Sequence, residues 1–165
     1  MDITIREATP EEYERLGEIT ARAYLDDGLL DFGEDDEYLH QLRAVGRRAE
    51  GAEVLVAVHE GELLGGVTFA APGSAWADIA REGEAEFRML AVAREGRGRG
   101  AGEALVRACI ERARAVDGVE RLLLSTQPAM LAAHRIYERL GFVRSPDRDW
   151  EPIPGLPLLT YALEL

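Results

Sequence analysis

The spacing of apolar residues along the chain predicts alternating strands and helices. Short apolar runs bounded by charge or glycine, as at 54–58 and 121–125, are typical of buried strands. Apolar residues at steps of three and four, as at 13–23 and 103–114, are typical of helices with one buried face. The predicted elements are, in order, a strand at 3–6, a helix opened by Thr9 and Pro10, a helix at about 36–49, a hairpin at 54–69, a strand at 85–92, a helix at 103–114, a strand at 121–125, a helix at 129–140, and strands at 142–143 and 158–163. This order indicates one α/β domain with a mixed sheet, covering residues 1–165.

The stretch from Ala85 to Arg114 carries the clearest sign of chemistry. A predicted strand runs into a glycine-rich turn that opens a helix. Glycine lets the backbone approach a ligand closely, and the free N–H groups of a first helical turn attract anions. Because Arg94 and two further arginines lie beside those amides, the sequence predicts a phosphate-binding turn. The turn contains, in order, Gly96, Arg97, Gly98, Arg99, Gly100, Ala101 and Gly102.

Two well-known phosphate-binding motifs fit this turn poorly. A nucleoside-triphosphate loop needs a lysine after its last glycine, and the chain contains no lysine. A dinucleotide fingerprint is met formally by Gly96, Gly98 and Ala101. The next predicted strand, however, ends in Ser125 and Thr126, where that motif needs an acidic residue. The turn also follows about 90 residues, whereas the fingerprint normally opens its domain. The sequence therefore disfavours both kinds of site.

A third interpretation rests on two motifs that stand in the expected order. The run Arg97-Gly98-Arg99-Gly100-Ala101-Gly102, preceded by Leu90-Ala91-Val92, resembles the Gln/Arg-x-x-Gly-x-Gly/Ala signature of the GCN5-related N-acetyltransferase (GNAT) superfamily. The run 133–142 resembles the family's second motif, Ala-x-x-x-Tyr-x-x-x-Gly-Phe, and the resemblance covers essentially the whole chain. It implies an α/β fold with a mixed, mostly antiparallel central sheet flanked by helices. A splayed parallel strand pair would form the acyl-CoA cleft of this fold.

The resemblance also implies which residues would hold acetyl-coenzyme A, the acyl donor of the family. The pyrophosphate would rest on Arg97, Gly98, Arg99, Gly100, Ala101 and Gly102. The pantetheine arm would pair with the backbone of Leu90, Ala91 and Val92 as an added strand does, and an N–H near Leu90 would polarise the thioester carbonyl. The opposite wall would contain Ser125, Thr126 and Ala133. Met130 stands where the family often has asparagine, so that polar contact falls to Ser125, Thr126 or Gln127, or is absent.

Two side chains are candidates for catalysis. Acyl transfer to an amine needs the neutral amine, so a general base helps. Glu86 lies six residues before Val92, the offset at which several family members place a base carboxylate. Its alternative role is an ion pair with Arg88 or with another cation at the rim of the sheet. Tyr137 matches the family's tyrosine that protonates the leaving thiolate, although a core tyrosine fits the pattern too. Alternation along a strand predicts one shared face for Glu84, Glu86, Arg88, Leu90 and Val92.

The charge distribution sets the glycine turn apart from the rest of the chain. The net charge of −12 disfavours nucleic acid and anionic membranes as general partners. Residues 94–114 nevertheless carry six arginines and three glutamates, so positive charge is concentrated around the turn. Negative charge is instead concentrated in residues 26–37, where seven acidic residues form either a solvated loop or an anionic rim for a cationic acceptor.

Other features bear on the cellular setting and on metal chemistry. No apolar run approaches the ~20 residues that span a bilayer. The N-terminus shows no signal-peptide pattern, so a cytoplasmic protein without a membrane partner is expected. Cys109 falls on the apolar face of a predicted helix, which disfavours it as a nucleophile. Because His40, His59 and His134 lack metal-ligand spacing, no metal is expected.

The resemblance therefore implies an acetyl-CoA-dependent N-acetyltransferase that acts by direct transfer to a primary amine. The acceptor would be a small molecule, a protein N-terminus or a lysine side chain. A non-catalytic acyl-CoA-binding sensor or scaffold of the same fold is the alternative. Dimerisation is common in the family, and the sequence neither supports nor excludes a homodimer.

Overall fold

A computed structural model describes residues 2–165 and confirms the predicted fold class. The helices are α1 (Tyr13–Asp26), α2 (Tyr38–Arg43), α3 (Val45–Gly51), α4 (Ala101–Ala115) and α5 (Leu131–Arg139). The strands are β1 (Thr4–Glu7), β2 (Glu53–His59), β3 (Glu62–Ala70), β4 (Glu84–Val92), β5 (Arg121–Thr126), β6 (Val143–Arg144) and β7 (Leu159–Glu164).

The strands form one sheet in the order β1-β2-β3-β4-β5-β7-β6. Strands β4 and β5 are parallel, and the other neighbouring pairs are antiparallel. A dinucleotide fold needs a mostly parallel sheet, so this topology excludes the dinucleotide interpretation of the glycine turn.

The sheet separates two layers of helices. Residues of α4, including Leu105 and Cys109, pack with Leu55 and Phe87 of the sheet in the largest apolar cluster. On the other face, Leu16 of α1 and residues of α3 pack against β2. Alternate residues of β2 therefore serve opposite layers, as the period of two in a strand requires.

The predicted helix at 36–49 is instead two short helices that meet at Ala44. The guanidinium of Arg48 explains the break, because it donates to the carbonyl oxygens of Gln41 and Leu42 at the end of α2. Its Nε atom also donates to Thr68 Oγ1 at 3.0 Å. Burial lowers the pKa of Arg48 to about 10. The break is thus fixed by a side chain that reaches back from the next helix, which apolar spacing does not reveal.

A β-bulge divides β4 into two segments. Thr68 pairs with Arg88 and Gly66 with Ala91, so one residue of β3 faces two residues of β4. Within the bulge, Met89 has a φ of 57°, a left-handed conformation that costs a non-glycine residue about 1–2 kcal/mol. The side-chain alternation changes phase at this point.

The prediction that five alternate residues of β4 share one face is therefore wrong. Leu90 and Val92 pack with Phe87 against the α4 layer, whereas Glu86 and Arg88 face the layer of α1 and α2. The bulge is the physical reason, since one extra residue in a strand reverses the side-chain order beyond it. Glu84, Glu86 and Arg88 precede the bulge and keep the predicted alternation.

The parallel strands diverge in the way predicted for a splayed pair. Their register runs from the pair Glu84–Arg121 to the pair Phe87–Leu124 and stops there. Beyond this point β4 stays with β3 and β5 stays with β7. A gap therefore opens between the carboxyl-terminal ends of the two central strands, and the edge of β4 over Arg88–Val92 faces it.

Close packing of β3 on β4 supports this arrangement and predicts a stability difference. A Cβ at Gly65 would overlap the carbonyl oxygen of Ala91, whereas a Cβ at Gly46 in α3 would lie 3.5 Å from the Tyr13 ring. Gly65→Ala should destabilise the protein by about 1–3 kcal/mol through overpacking. Gly46→Ala should stabilise it by about 0.5–1 kcal/mol because alanine favours helix. Urea unfolding of both variants measures the difference, and equal effects would contradict the packing described here.

Candidate active site

The glycine turn forms an open cradle at the start of α4. Gly98 and Gly100 have φ values of 76° and 84°, and a Cβ at either position would meet no atom within 4 Å. The first intrahelical bond of α4 runs from Ala104 N to Gly100 O, so the amides before Ala104 have no helical acceptor. Gly102 has a different role, since its Cβ would lie 3.3 Å from Ile136 on α5. The turn thus offers free backbone donors to an anion in open space.

Two arginines near the turn are paired with the end of α1. Arg97 lies 3.3 Å from Asp27, and Arg94 lies 3.3 Å from Asp26. Within residues 2–165, Arg99 forms no ion pair and reaches only the Glu95 carbonyl oxygen, at 3.5 Å. Exposed pairs of this kind contribute about 0–1 kcal/mol. An anion on the turn could therefore compete with the two aspartates for these arginines.

These pairs change the interpretation of the acidic segment 26–37. Asp26 and Asp27 lie against the turn, and the carboxylate of Asp36 accepts the backbone N–H groups of Phe32 and Tyr38. Three of the seven acidic residues thus have structural partners, which the sequence alone did not indicate.

The predicted cofactor-binding strand, Leu90–Val92, lies along the gap. Leu90 and Val92 turn their side chains towards the α4 layer, while Ala91 packs against Ile19 of α1. The backbone of this segment is bonded to β3 on one side, and β5 has already diverged on the other. Its second edge is therefore free to pair with an extended ligand.

The opposite wall, on β5 and α5, differs from the prediction in detail. The hydroxyl of Ser125 accepts a bond of 3.0 Å from the Trp150 indole. Thr126 points to the other face, where its hydroxyl donates to Met130 Sδ at 3.6 Å. Met130 therefore occupies the position beside Thr126, and Ala133 packs on the apolar core.

Two contacts of Gln127 border the gap. Gln127 Nε2, just beyond β5, donates to the carbonyl oxygen of Leu29 at 3.0 Å, which ties the segment after α1 to the end of β5. His134 Nε2 lies 3.1 Å from the Gln127 carbonyl oxygen, and its ring packs against Tyr161. His134 is thus a packed residue beside the gap.

Glu86 lies at the base of the gap, one residue before the last β4–β5 pair. Its side chain is 1% exposed, and the backbone amides of Ile79 and Ala80 donate to Oε1 at 2.8 and 3.0 Å. No fully buried side-chain oxygen or nitrogen in residues 2–165 lacks a partner. Oε2 has no hydrogen-bond partner among the same residues, so a small part of its surface remains accessible to solvent.

The surroundings of Glu86 raise its pKa. Burial is the main cause, and the negative charge of Asp78 adds to it, while the amides of Ile79, Ala80 and Asp78 oppose it. The alternative prediction, an ion pair of Glu86 with Arg88 or another cation, is not found within residues 2–165, and Arg88 pairs with Asp78 at 3.2 Å. Arg88 also donates to Tyr38 Oη and to the Trp76 carbonyl oxygen.

Tyr137 lies on α5 inside an aromatic cluster. Its ring centroid is 5.9 Å from those of Phe87 and Phe142 and 5.7 Å from that of Tyr161. Burial raises the pKa of the phenol, so the hydroxyl stays protonated. The hydroxyl makes no hydrogen bond within the described chain, so by the same reasoning as for Glu86 it borders accessible space.

Sequence reasoning missed several groups around Glu86. The amides of Ile79 and Ala80 come from a loop, and Arg148, which bonds to Ile79, lies 69 residues away in the chain. Trp150 likewise reaches β5 from the loop before β7. The spacing of residues within a short stretch of sequence does not predict contacts between such distant positions.

Two further findings concern membranes and metals. In residues 2–165, no helix combines the length and apolar character needed to cross a membrane. The same residues contain no group of three or more histidine, cysteine, aspartate or glutamate side chains placed to hold a metal ion.

Several solved structures share this fold. A ribosomal-protein-alanine N-acetyltransferase from Brucella melitensis is 24% identical with a TM-score of 0.71, covering 98% of this chain and 99% of its own. A putative acetyltransferase from Salmonella typhimurium, yncA, solved with its cofactor acetyl-CoA, is 23% identical with a TM-score of 0.71, covering 100% and 95%. A putative GNAT acetyltransferase from Desulfovibrio desulfuricans is 20% identical with a TM-score of 0.72, covering 99% of each chain. At these identities the likeness shows the fold alone.

Curated protein sequences contain no match to this chain. The family assignment comes from a sequence model of the acetyltransferase (GNAT) family, which matches residues 12–142. This range includes the glycine turn, the diverging strands and the helix that carries Tyr137. Because the match covers most of the chain, the protein belongs to the GNAT acetyltransferase family.

Proposed function

We propose that this protein transfers an acetyl group from acetyl-CoA directly to a primary amine. The observation that carries the proposal is the position of Glu86: a carboxylate with one oxygen fixed by two amides, at the base of a gap between parallel strands. Membership of an acetyltransferase family supports the reaction class. The acceptor is a small-molecule amine, a protein N-terminus or a lysine side chain.

The chain's own residues fit the acyl donor. Gly98 and Gly100 leave space where side chains would project, and the first amides of α4 would hold the pyrophosphate. Arg97 and Arg99 would add positive charge. The free edge of Leu90–Val92 would pair with the pantetheine arm, as an added strand pairs with a sheet edge. Bound acetyl-CoA supplies the acetyl group as a thioester.

Glu86 would act as the base. Its free oxygen takes a proton from the acceptor ammonium, so that the neutral nitrogen can bond to the acetyl carbon while the carbon–sulfur bond breaks. A backbone N–H at the Met89–Leu90 bulge would stabilise negative charge on the carbonyl oxygen. Tyr137 would protonate the departing thiolate. The nitrogen becomes cationic when it bonds to the acetyl carbon, and its second proton would pass through water to the Tyr137 phenolate, which restores the phenol. The products are an acetylated amine and free coenzyme A.

Glu86→Gln tests the proposed base. Glutamine keeps an acceptor for the Ile79 and Ala80 amides, so folding should be retained, while kcat/KM should fall by roughly 10²–10⁴-fold because no base remains. Thiol release with a panel of primary amines measures the rate, and calorimetric titration should show unchanged affinity for acetyl-CoA. The panel should include a peptide with N-terminal alanine, given the description of the Brucella neighbour.

The exposed Glu82, four residues earlier, provides the matched control. Glu82→Gln makes the same chemical change outside the gap and should leave the rate unaltered. Full activity of Glu86→Gln would remove the base from the mechanism. Tight binding of acetyl-CoA without turnover of any amine by the unaltered protein would favour the sensor or scaffold role instead.

The pH dependence of the rate should follow the raised pKa of Glu86. A base works in its ionised form, so activity should be present above the raised pKa and should be lost as the pH falls through it. The acidic limb of kcat/KM should therefore lie above the usual glutamate value of about 4.3. An acidic limb at or below that value would mean that another group titrates.

Tyr137→Phe tests the proposed acid. The hydroxyl has no hydrogen-bond partner in the described chain, so its loss should cost little stability. We expect kcat to fall by about tenfold to a hundredfold with an unchanged KM for acetyl-CoA, because the leaving thiolate loses its proton donor. Steady-state kinetics with thermal unfolding as a control measure both effects. An unchanged kcat would assign Tyr137 to packing alone.

Asp27→Asn tests the competition for Arg97. Removing this carboxylate frees Arg97 and should tighten coenzyme A binding about twofold to fivefold. Asp31→Asn makes the same charge change at an exposed residue that forms no ion pair in the described chain, and it should have a smaller effect. Calorimetric titration at low salt compares the two. Equal effects would indicate a general influence of net charge, not a contact at the turn.

A further inference from the structure

Arg148 joins three parts of the chain at a buried point. It ends a short 3-10 helix, Pro146–Arg148, between β6 and β7. Its guanidinium donates to both carboxylate oxygens of Glu84, at 2.8 and 3.1 Å, and to the carbonyl oxygen of Ile79 at 2.9 Å. The Arg148 and Glu84 side chains are only 11% and 5% exposed. Such a forked, buried contact fixes geometry more firmly than a surface ion pair.

Ile79 connects this contact to the proposed base. Its carbonyl oxygen accepts from Arg148, and its own amide donates to Glu86 Oε1 at 2.8 Å. The next amide, that of Ala80, donates to the same oxygen at 3.0 Å. The segment 79–80 therefore lies between the guanidinium and the carboxylate, and bonds to both.

Arg148 is itself held rigidly by its neighbours. Its carbonyl oxygen accepts the Thr160 hydroxyl at 2.9 Å, and its amide donates to Ser145 O at 2.9 Å. The carboxylate of the next residue, Asp149, accepts hydrogen bonds from Thr160 N and from Nη1 and Nη2 of Arg144 at 2.8–2.9 Å. Arg148 is therefore hydrogen-bonded to β7, which belongs to the central sheet.

We propose that Arg148 is a positioning residue, which holds Ile79 and Ala80 so that their amides fix one oxygen of Glu86 and leave the other free for the acceptor amine. The role as written rests on the proposed function, because it makes Glu86 the base. The structural part, that Arg148 controls the environment of Glu86, does not depend on catalysis. The two parts can be tested separately.

The consequence of losing Arg148 follows from the groups that face Glu86. The charged neighbours are Asp78 from the loop and Arg88 from β4, which pair with each other, and neither contacts Arg148. Removing Arg148 leaves them in place, frees the 79–80 segment and takes two donors from the ionised carboxylate. Since those donors lower the pKa of Glu86 against burial, its pKa should rise further.

Arg121 supplies the matched control. It also pairs with Glu84, at 2.8 Å, and its partner on the other side is Glu164, but it makes no bond to Ile79. Arg148→Gln and Arg121→Gln each remove one guanidinium from Glu84. Only Arg148→Gln also removes the bond to Ile79, so a change in the pKa of Glu86 that is confined to this variant is the result expected from the Ile79 contact.

The first readout is the pKa of Glu86 itself, from carboxyl carbon-13 resonances assigned with Glu86→Gln. In Arg148→Gln we expect a rise of roughly half to one pH unit, and in Arg121→Gln no comparable change. The second readout is the acidic limb of kcat/KM, which should move by the same amount in Arg148→Gln. Thermal unfolding checks that both proteins are folded.

If Arg148→Gln does not fold, Arg148→Lys is the variant to measure. An ammonium can still neutralise Glu84, but it cannot bond to both Glu84 oxygens and the Ile79 carbonyl oxygen as the planar guanidinium does. The pKa of Glu86 should rise in Arg148→Lys too, but by less than in Arg148→Gln. An unchanged pKa of Glu86, or equal changes in the Arg148 and Arg121 variants, would overturn the proposal. A fall in the pKa of Glu86 would also overturn the proposal, since it would mean that segment 79–80 excludes water from Glu86 but does not donate hydrogen bonds to it. A rise by resonance without any shift of the kinetic limb would keep the positioning role and remove Glu86 as the base.

Discussion

The divergence of β4 from β5 determines where the free backbone edge and the buried carboxylate of Glu86 lie. After Phe87 and Leu124 the two strands follow different partners, because β3 holds β4 and β7 holds β5. The bulge at Met89 then reverses the side-chain order, so that apolar residues of the last segment close the α4 layer. The backbone edge of that segment remains open. The divergence thus leaves a free backbone edge with Glu86 at the base of the gap, and the bulge lets the side chains of the same segment pack in the α4 layer.

Electrostatics around the gap follow from burial. Glu84 and Glu86 lie two residues apart on one face of the sheet, yet their environments shift their pKa values in opposite directions. Two arginines lower the pKa of Glu84 to about 2 despite its burial, so it stays ionised as a structural anchor. Among residues 2–165, amides but no cation lie within bonding distance of Glu86, so burial dominates and its pKa rises. The separated pKa values suit the structural role of Glu84 and the role in proton transfer that we propose for Glu86.

Local spacing in the sequence determines how much could be predicted. The strand, turn and helix of 85–114 and the motif around Tyr137 depend on neighbours a few residues apart, so they were evident. The divided helix at Ala44, the left-handed Met89 and the amides on Glu86 depend on distant contacts. Arg97 and Asp27 are 70 residues apart, and Arg148 and Ile79 are 69 apart. The periodicity of apolar residues carries no information about such pairs. For this reason the sequence predicts the wrong side of the sheet for Leu90 and Val92, and it does not reveal the amides that bond to Glu86.

We expect the free edge of Leu90–Val92 to receive acetyl-CoA as an added strand. Amide hydrogen exchange, resolved by residue with and without acetyl-CoA, tests this pairing. Strand addition should slow the exchange of the amides of this segment that face the gap, with no change on the outer edge of β1. Binding of acetyl-CoA that leaves these amides unprotected would rule out strand addition, as would protection confined to other strands.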